Sequence, residues 1–104
     1  MLEEILNEYG FSVSVRKAHA TEFKNDEIVI YTVPGDMLNL IVSPEDYVFV
    51  SNYKCKKYHN SNLVAFPKEK NKGENKIHYG YKIEFDSSLS VKDFLGSYEK
   101  FKKT

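Results

Sequence analysis

Between Gly10 and Asp86 this chain carries no helical stripe: apolar residues alternate with polar ones or run in short stretches, most of them closed by a turn signal a few residues long. That spacing constrains the fold strongly, because parallel strand neighbours need crossovers of a dozen or more residues, whereas short connections join antiparallel ones. Phe11, Val13 and Val15 alternate with Ser12, Ser14 and Arg16, the period of a half-buried strand that runs on irregularly through Ala18, Ala20 and Phe23 to a polar turn at Lys24-Asn25-Asp26. Residues 27–33 form the next strand, ended by Pro34-Gly35-Asp36, in which Pro at i+1 and Gly at i+2 suit a type II turn. Residues 37–42 follow, then the turn signal Ser43-Pro44-Glu45-Asp46, a strand over 47–53, a polar connection over 54–61 and a short strand over 62–66. Residues 67–76 have little apolar content and read as a solvated loop. After them Ile77, Tyr79, Tyr81, Ile83 and Phe85 alternate with His78, Gly80, Lys82, Glu84 and Asp86, the clearest strand in the chain.

Helical stripes flank this region. Leu2, Ile5, Leu6 and Tyr9 fall at i, i+3, i+4 and i+7, and Gly10 suits the residue after a helix end. Val91, Phe94, Leu95, Tyr98 and Phe101 make the second stripe, opened by Ser90 with Asp93 in a capping-box spacing and closed by Lys100, Lys102 and Lys103 at the negative end of the dipole. The order predicts an α+β fold: an antiparallel meander sheet of about six strands, with the N-terminal and C-terminal helices packed on one face. Its 104 residues fit one domain, residues 1–104, and 41% hydrophobic content with 15 aromatics argues against disorder.

The strands over 27–33 and 37–42 are apolar on both faces, yet two short helices cover only one. Two solutions follow. Either the sheet curls or its long first strand folds over the second face, or that face is a homodimer or partner interface centred on Val29, Tyr31, Val33 and Ile41.

Charge is the second constraint. Formal net charge is zero, but residues 1–51 carry nine acids against Arg16, Lys17 and Lys24, a net of −6, while residues 52–82 carry eight lysines against Glu69 and Glu74, a net of +6. The candidate charged binding surface is therefore Lys54, Lys56, Lys57, Tyr58, His59, Lys68, Lys70, Lys72 and Lys76, within a lysine- and tyrosine-rich region over 53–82. In a meander the 54–59 and 68–76 segments fall at opposite sheet ends, each near acids able to neutralise it. The only arginine, Arg16, lies outside the region, and Tyr79 and Tyr81 share the core face of their strand, so a protein partner or homodimer fits better than nucleic acid.

Motifs that carry chemistry are thin. Cys55 and His59 have C-x-x-x-H spacing, but a structural zinc site shows two paired-ligand motifs and this is one half. A Cys55 nucleophile would need an orienting third group, although Lys54, Lys56 and Lys57 beside it would lower its thiol pKa. Glu3, Glu4 and Glu8 suit the first turns of a solvated helix, and neither a P-loop nor a dinucleotide fingerprint occurs. The expectation is a small non-enzymatic protein-interaction domain of accessory, immunity or inhibitor type, without cofactor or metal; a nucleic-acid module using the 53–82 region is the alternative, and a ligand binder or enzyme lacking a recognisable motif the next. One cysteine, an acidic N-terminus and no apolar run of spanning length point to the cytoplasm and away from membranes. Fourteen of the 15 basic residues are lysine, which fits the codon drift of an AT-rich bacterial or phage genome.

Overall fold

The computed structural model describes every residue except Met1, Glu27, Asp36 and Glu74, so the start of the expected 27–33 strand and the Asp36 end of its turn lie outside the described residues. The fold is α+β, with three helices and seven antiparallel strands in one open sheet among the described residues. Helix α1 (Leu2–Glu8) leads through Gly10, at φ +85°, into β1 (Ser12–Lys17), β2 (Ala20–Asn25), β3 (Ile28–Thr32) and β4 (Leu38–Val42), four strands in meander order. After a 3₁₀ turn (Pro44–Asp46) come α2 (Tyr47–Val50), β5 (Cys55–His59), β6 (Lys68–Lys70), β7 (Lys76–Phe85) and α3 (Ser88–Lys103). Strand β7 inserts between β4 and β5, and its first residues pair with β6.

Alternation along β7 sorts the core. Ile83 and Phe85 face the helices, with Leu40 and Val42 of β4, Ile30 of β3 and Phe23 of β2 under Ile5 and Leu6 of α1 and Val91, Phe94, Leu95 and Tyr98 of α3. Both terminal helices thus lie on one face. Burial of Phe94 alone, fully enclosed among Phe49, Tyr53, Phe85 and Tyr98, is worth about 2–3 kcal/mol. Ser87 rather than Ser90 caps α3, its hydroxyl accepting from Ser90 N–H at 3.2 Å.

Several segments differ from the sequence expectation. The long first strand is a hairpin, because Lys17 pairs with Ala20 across Ala18-His19, a tight turn without the Gly or Asn that usually marks one. Gly35 does not take the positive φ of a type II turn. Residues 47–53 are not a strand. Ser43 Oγ accepts from Glu45 N–H and Pro44 sits at the first helical position, so the turn signal is a helix start; α2 buries Val50 and lays Phe49 against Phe94, Tyr98 and Phe101. The polar connection over 54–61 contains β5, and part of the expected loop over 67–76 is β6.

The 62–66 segment is not a strand but the cover of the second face. Successive turns, Leu63 N–H to Asn60 O at 3.1 Å and Phe66 N–H to Leu63 O at 3.0 Å, drop Leu63 and Phe66 onto Ala20, Tyr31 and Ile41. Neither a curled sheet nor a folded-over first strand closes that face. Gly80 makes the seat: a Cβ there would lie 2.9 Å from the Phe66 ring and 2.7 Å from the Val42 carbonyl. Tyr31 fastens the cover, donating its O–H to buried Glu22 and accepting from Ala65 N–H at 3.0 Å, while Ser14 donates to the other Glu22 oxygen at 2.6 Å. Each polar group in this cluster is therefore satisfied, as burial demands.

Candidate functional site

The surface follows from pairing register. Residues directly opposite in an antiparallel ladder share a face, as do alternate residues along a strand. Lys56 is opposite Lys82, Tyr58 opposite Gly80, Lys68 opposite His78 and Lys70 opposite Lys76, so these lysines all lie on the second face, in a band along β7. From Lys76 to Lys82 it spans about 20 Å, with the 62–66 cover between its two halves. Lys54 precedes β5, and Lys72 stands in the β6–β7 turn with φ +55°. The lysine segments therefore flank one strand rather than occupying unrelated loops. Lys82, outside the sequence candidate set, completes the first like-charged pair; its place on the polar alternation of β7 was the available signal.

Lys57 and His59 lie on the helix-side face, opposite Tyr81 and Tyr79. Glu69 of β6 reaches both, at 3.1 Å from Lys57 Nζ and 2.9 Å from His59 Nε2. Its hydrogen bond with Lys57 holds the Glu69 carboxyl below its usual range and raises the lysine. The nearby rings are engaged: Lys57 Nζ stands 5.3 Å over Tyr79, His59 stacks on the same ring at 5.7 Å, and Tyr47 lies 4.7 Å from Tyr81. On the second face Lys82 Nζ sits 5.1 Å over Tyr58.

Among the described residues Lys54, Lys56, Lys68, Lys70, Lys72, Lys76 and Lys82 form no salt bridge. The acids of the other half pair elsewhere: Glu3 with Arg16 at 2.9 Å, Glu8 with Lys92 at 3.6 Å, and Glu45 and buried Asp46 with Lys102 at 3.3 and 3.1 Å. The expected mutual neutralisation of acidic and lysine-rich regions is absent from these pairs. Where β5 begins, Met37, Lys54, Cys55, Lys56, Lys82 and Glu84 line a cavity of about 340 Å³, whose charged lining is three lysines and one glutamate.

The other sequence candidates separate. Tyr31 and Ile41 are buried beneath Leu63 and Phe66, so they offer nothing to a partner in this conformation, while Val29 and Val33 stay half-buried at the cluster margin. Partial burial raises the Cys55 thiol pKa, contrary to the lowering expected from its lysine neighbours. Among the described residues no three His, Cys, Asp or Glu side chains converge as metal ligands, and no helix is long and apolar enough to cross a membrane. Fold and surface together define an α+β domain with a basic band on an open sheet. No family model matches the chain, and no curated protein or solved structure matches it.

Proposed function

We propose that this chain is a small, non-enzymatic interaction domain that binds an acidic protein partner through the lysine band on the second face of its sheet. The observation that carries the reading is the pair of cross-strand contacts Lys56–Lys82 and Lys70–Lys76, each setting like charges directly opposite one another. Such pairs destabilise a sheet, and an anionic partner relieves that repulsion on binding. The lysine-lined cavity at the start of β5 gives a carboxylate a place to enter.

Carboxylates fit better than nucleic acid for two reasons. Stacking on bases needs free aromatic faces, and Tyr58, Tyr79 and Tyr81 already have intramolecular partners. The only arginine, the residue best shaped for reading guanine, is held by Glu3. Fluorescence anisotropy with labelled polyglutamate and with a labelled DNA duplex, each over a salt series, tests the reading. The expected result is salt-sensitive polyglutamate binding, abolished by the double variant Lys56→Glu/Lys82→Glu. Tighter binding to the duplex transfers the function to nucleic acid, and binding to neither removes the reading.

A further inference from the structure

The path of the open sheet ends on β1 and β5, which are built differently, while β6, off that path, pairs with the first residues of β7. Strand β1 carries a register shift between Val13 and Val15, the bulge with which proteins commonly blunt a free edge. Strand β5 is regular over all five of its pairs with β7. Asn60 N–H donates to His78 O at 3.0 Å, which fixes the phase of that ladder. Lys56 and Tyr58 therefore turn their backbone groups toward β7, and Cys55, Lys57 and His59 turn theirs outward. Among the described residues none of these three makes a backbone hydrogen bond outside the ladder.

We infer that the β5 edge is the docking site itself: an acidic segment of the partner protein pairs with it in extended form, as an eighth strand. Charge selects the occupant. A second copy of β5 would bring Lys54, Lys56 and Lys57 against the same lysines, whereas an acidic strand sets alternate carboxylates beside Lys56 on one face and Lys57 on the other. The backbone supplies the outward donors and acceptors of Cys55, Lys57 and His59, and the cavity lined by Lys54, Lys56 and Lys82 takes a carboxylate from the strand's second-face side. Edge lysines also serve simply to prevent sheets from joining, and the experiment separates that role from docking.

This inference rests on the acidic-partner reading, and one pair of variants tells their failures apart. Lys57→Ala and Lys57→Pro lose the same ammonium group and the same contact with Glu69, but only proline also removes the outward N–H, leaving the β7 ladder intact. Polyglutamate titrated against both should bind Lys57→Pro roughly three- to tenfold more weakly than Lys57→Ala, as expected for a lost backbone hydrogen bond. Equal affinities overturn strand addition while leaving the acidic surface in place; no binding to the wild type removes both. Should Lys57→Pro fail to fold, amide hydrogen exchange of the wild type decides the matter. Protection of the Cys55, Lys57 and His59 amides on adding polyglutamate supports strand addition, and unchanged exchange under saturating polyglutamate overturns it.

Discussion

Gly80 shows how one missing side chain decides what covers a sheet. An alanine there would put its methyl group 2.8 Å from Ile41 Cγ2 as well as against the Val42 carbonyl and the Phe66 ring, and a carbonyl in a ladder cannot move aside. Gly80→Ala should cost about 1–3 kcal/mol, lowering the melting temperature by about 4–8 °C per kcal/mol; an unchanged melting temperature would contradict the seat described for Phe66. Two buried tyrosines make the fold sensitive to alkali. Burial, reinforced by hydrogen bonds to Glu22 and Asp46, raises the Tyr31 and Tyr98 hydroxyl pKa values far above the ordinary 10.0. Folded-state values above the unfolded one mean stability is fully present below pH 10 and falls as pH rises beyond it, because the unfolded chain releases protons the native state retains. Urea midpoints measured on an alkaline series should decline, and Tyr31→Phe/Tyr98→Phe should flatten that decline even if it lowers stability near neutrality. None of this was legible in the sequence. Gly80 read as one polar-side position of a strand, and Glu22 as one acid among nine; burial of Glu22 depends on the distant 62–66 segment, and crowding at Gly80 on Phe66 together with Ile41 and Val42 of another strand.

Elements with one strong period were the readable ones. β7 and α3 each keep a single apolar stripe over ten residues or more, so no local signal competes with their pattern. α2 was not readable, because Ser43-Pro44-Glu45-Asp46 serves equally as a turn and as a helix start, and the run that follows leaves Val48 78% exposed beside buried Val50. β5 was missed for another reason: an edge strand whose residues are half-buried or exposed shows no apolar alternation. The 62–66 segment shows spacing-three anchors, Leu63 and Phe66, that resemble a short strand until the face beneath them is known. Its role predicts a difference between two core truncations. Phe94→Ala and Phe66→Ala should each cost about 3–5 kcal/mol, but only Phe66→Ala uncovers Tyr31 and Ile41. Under conditions where both variants remain folded, ANS fluorescence should therefore rise with Phe66→Ala alone, while Lys70→Glu, which sets opposite charges across from each other at Lys76, should raise stability slightly, by about 0.2–1 kcal/mol. Equal dye binding by the two truncations would mean that 62–66 is not what closes the second face.

A formal net charge of zero conceals the arrangement of the whole molecule. Lys92 and Lys102 of α3 turn back onto Glu8, Glu45 and Asp46 and, with the Arg16–Glu3 pair, compensate much of the acidic half, whereas the lysines of the band along β7 form no ion pair among the described residues. Sequence counting found the asymmetry but assigned the neutralising partners wrongly, since C-terminal lysines contact acids from the first half of the chain only once α3 has packed. The same arrangement predicts an oligomeric state. With the second face closed by 62–66, the regular β5 edge, guarded by Lys54, Lys56 and Lys57, is a route to self-association. At about 0.1 M salt the Debye length is ~10 Å, so facing lysines repel, whereas at 1 M it is ~3 Å and that repulsion is largely screened. Light scattering after size exclusion should accordingly give the mass of a single chain in low sodium chloride and a rising mass in high salt. Lys54→Gln/Lys56→Gln/Lys57→Gln should associate already at low salt, since the edge keeps its outward backbone groups but loses its charge. A dimer present at low salt and indifferent to those substitutions would instead locate the contact at half-buried Val29 and Val33, and would show that the cover over Tyr31 and Ile41 is too small to leave the face inert.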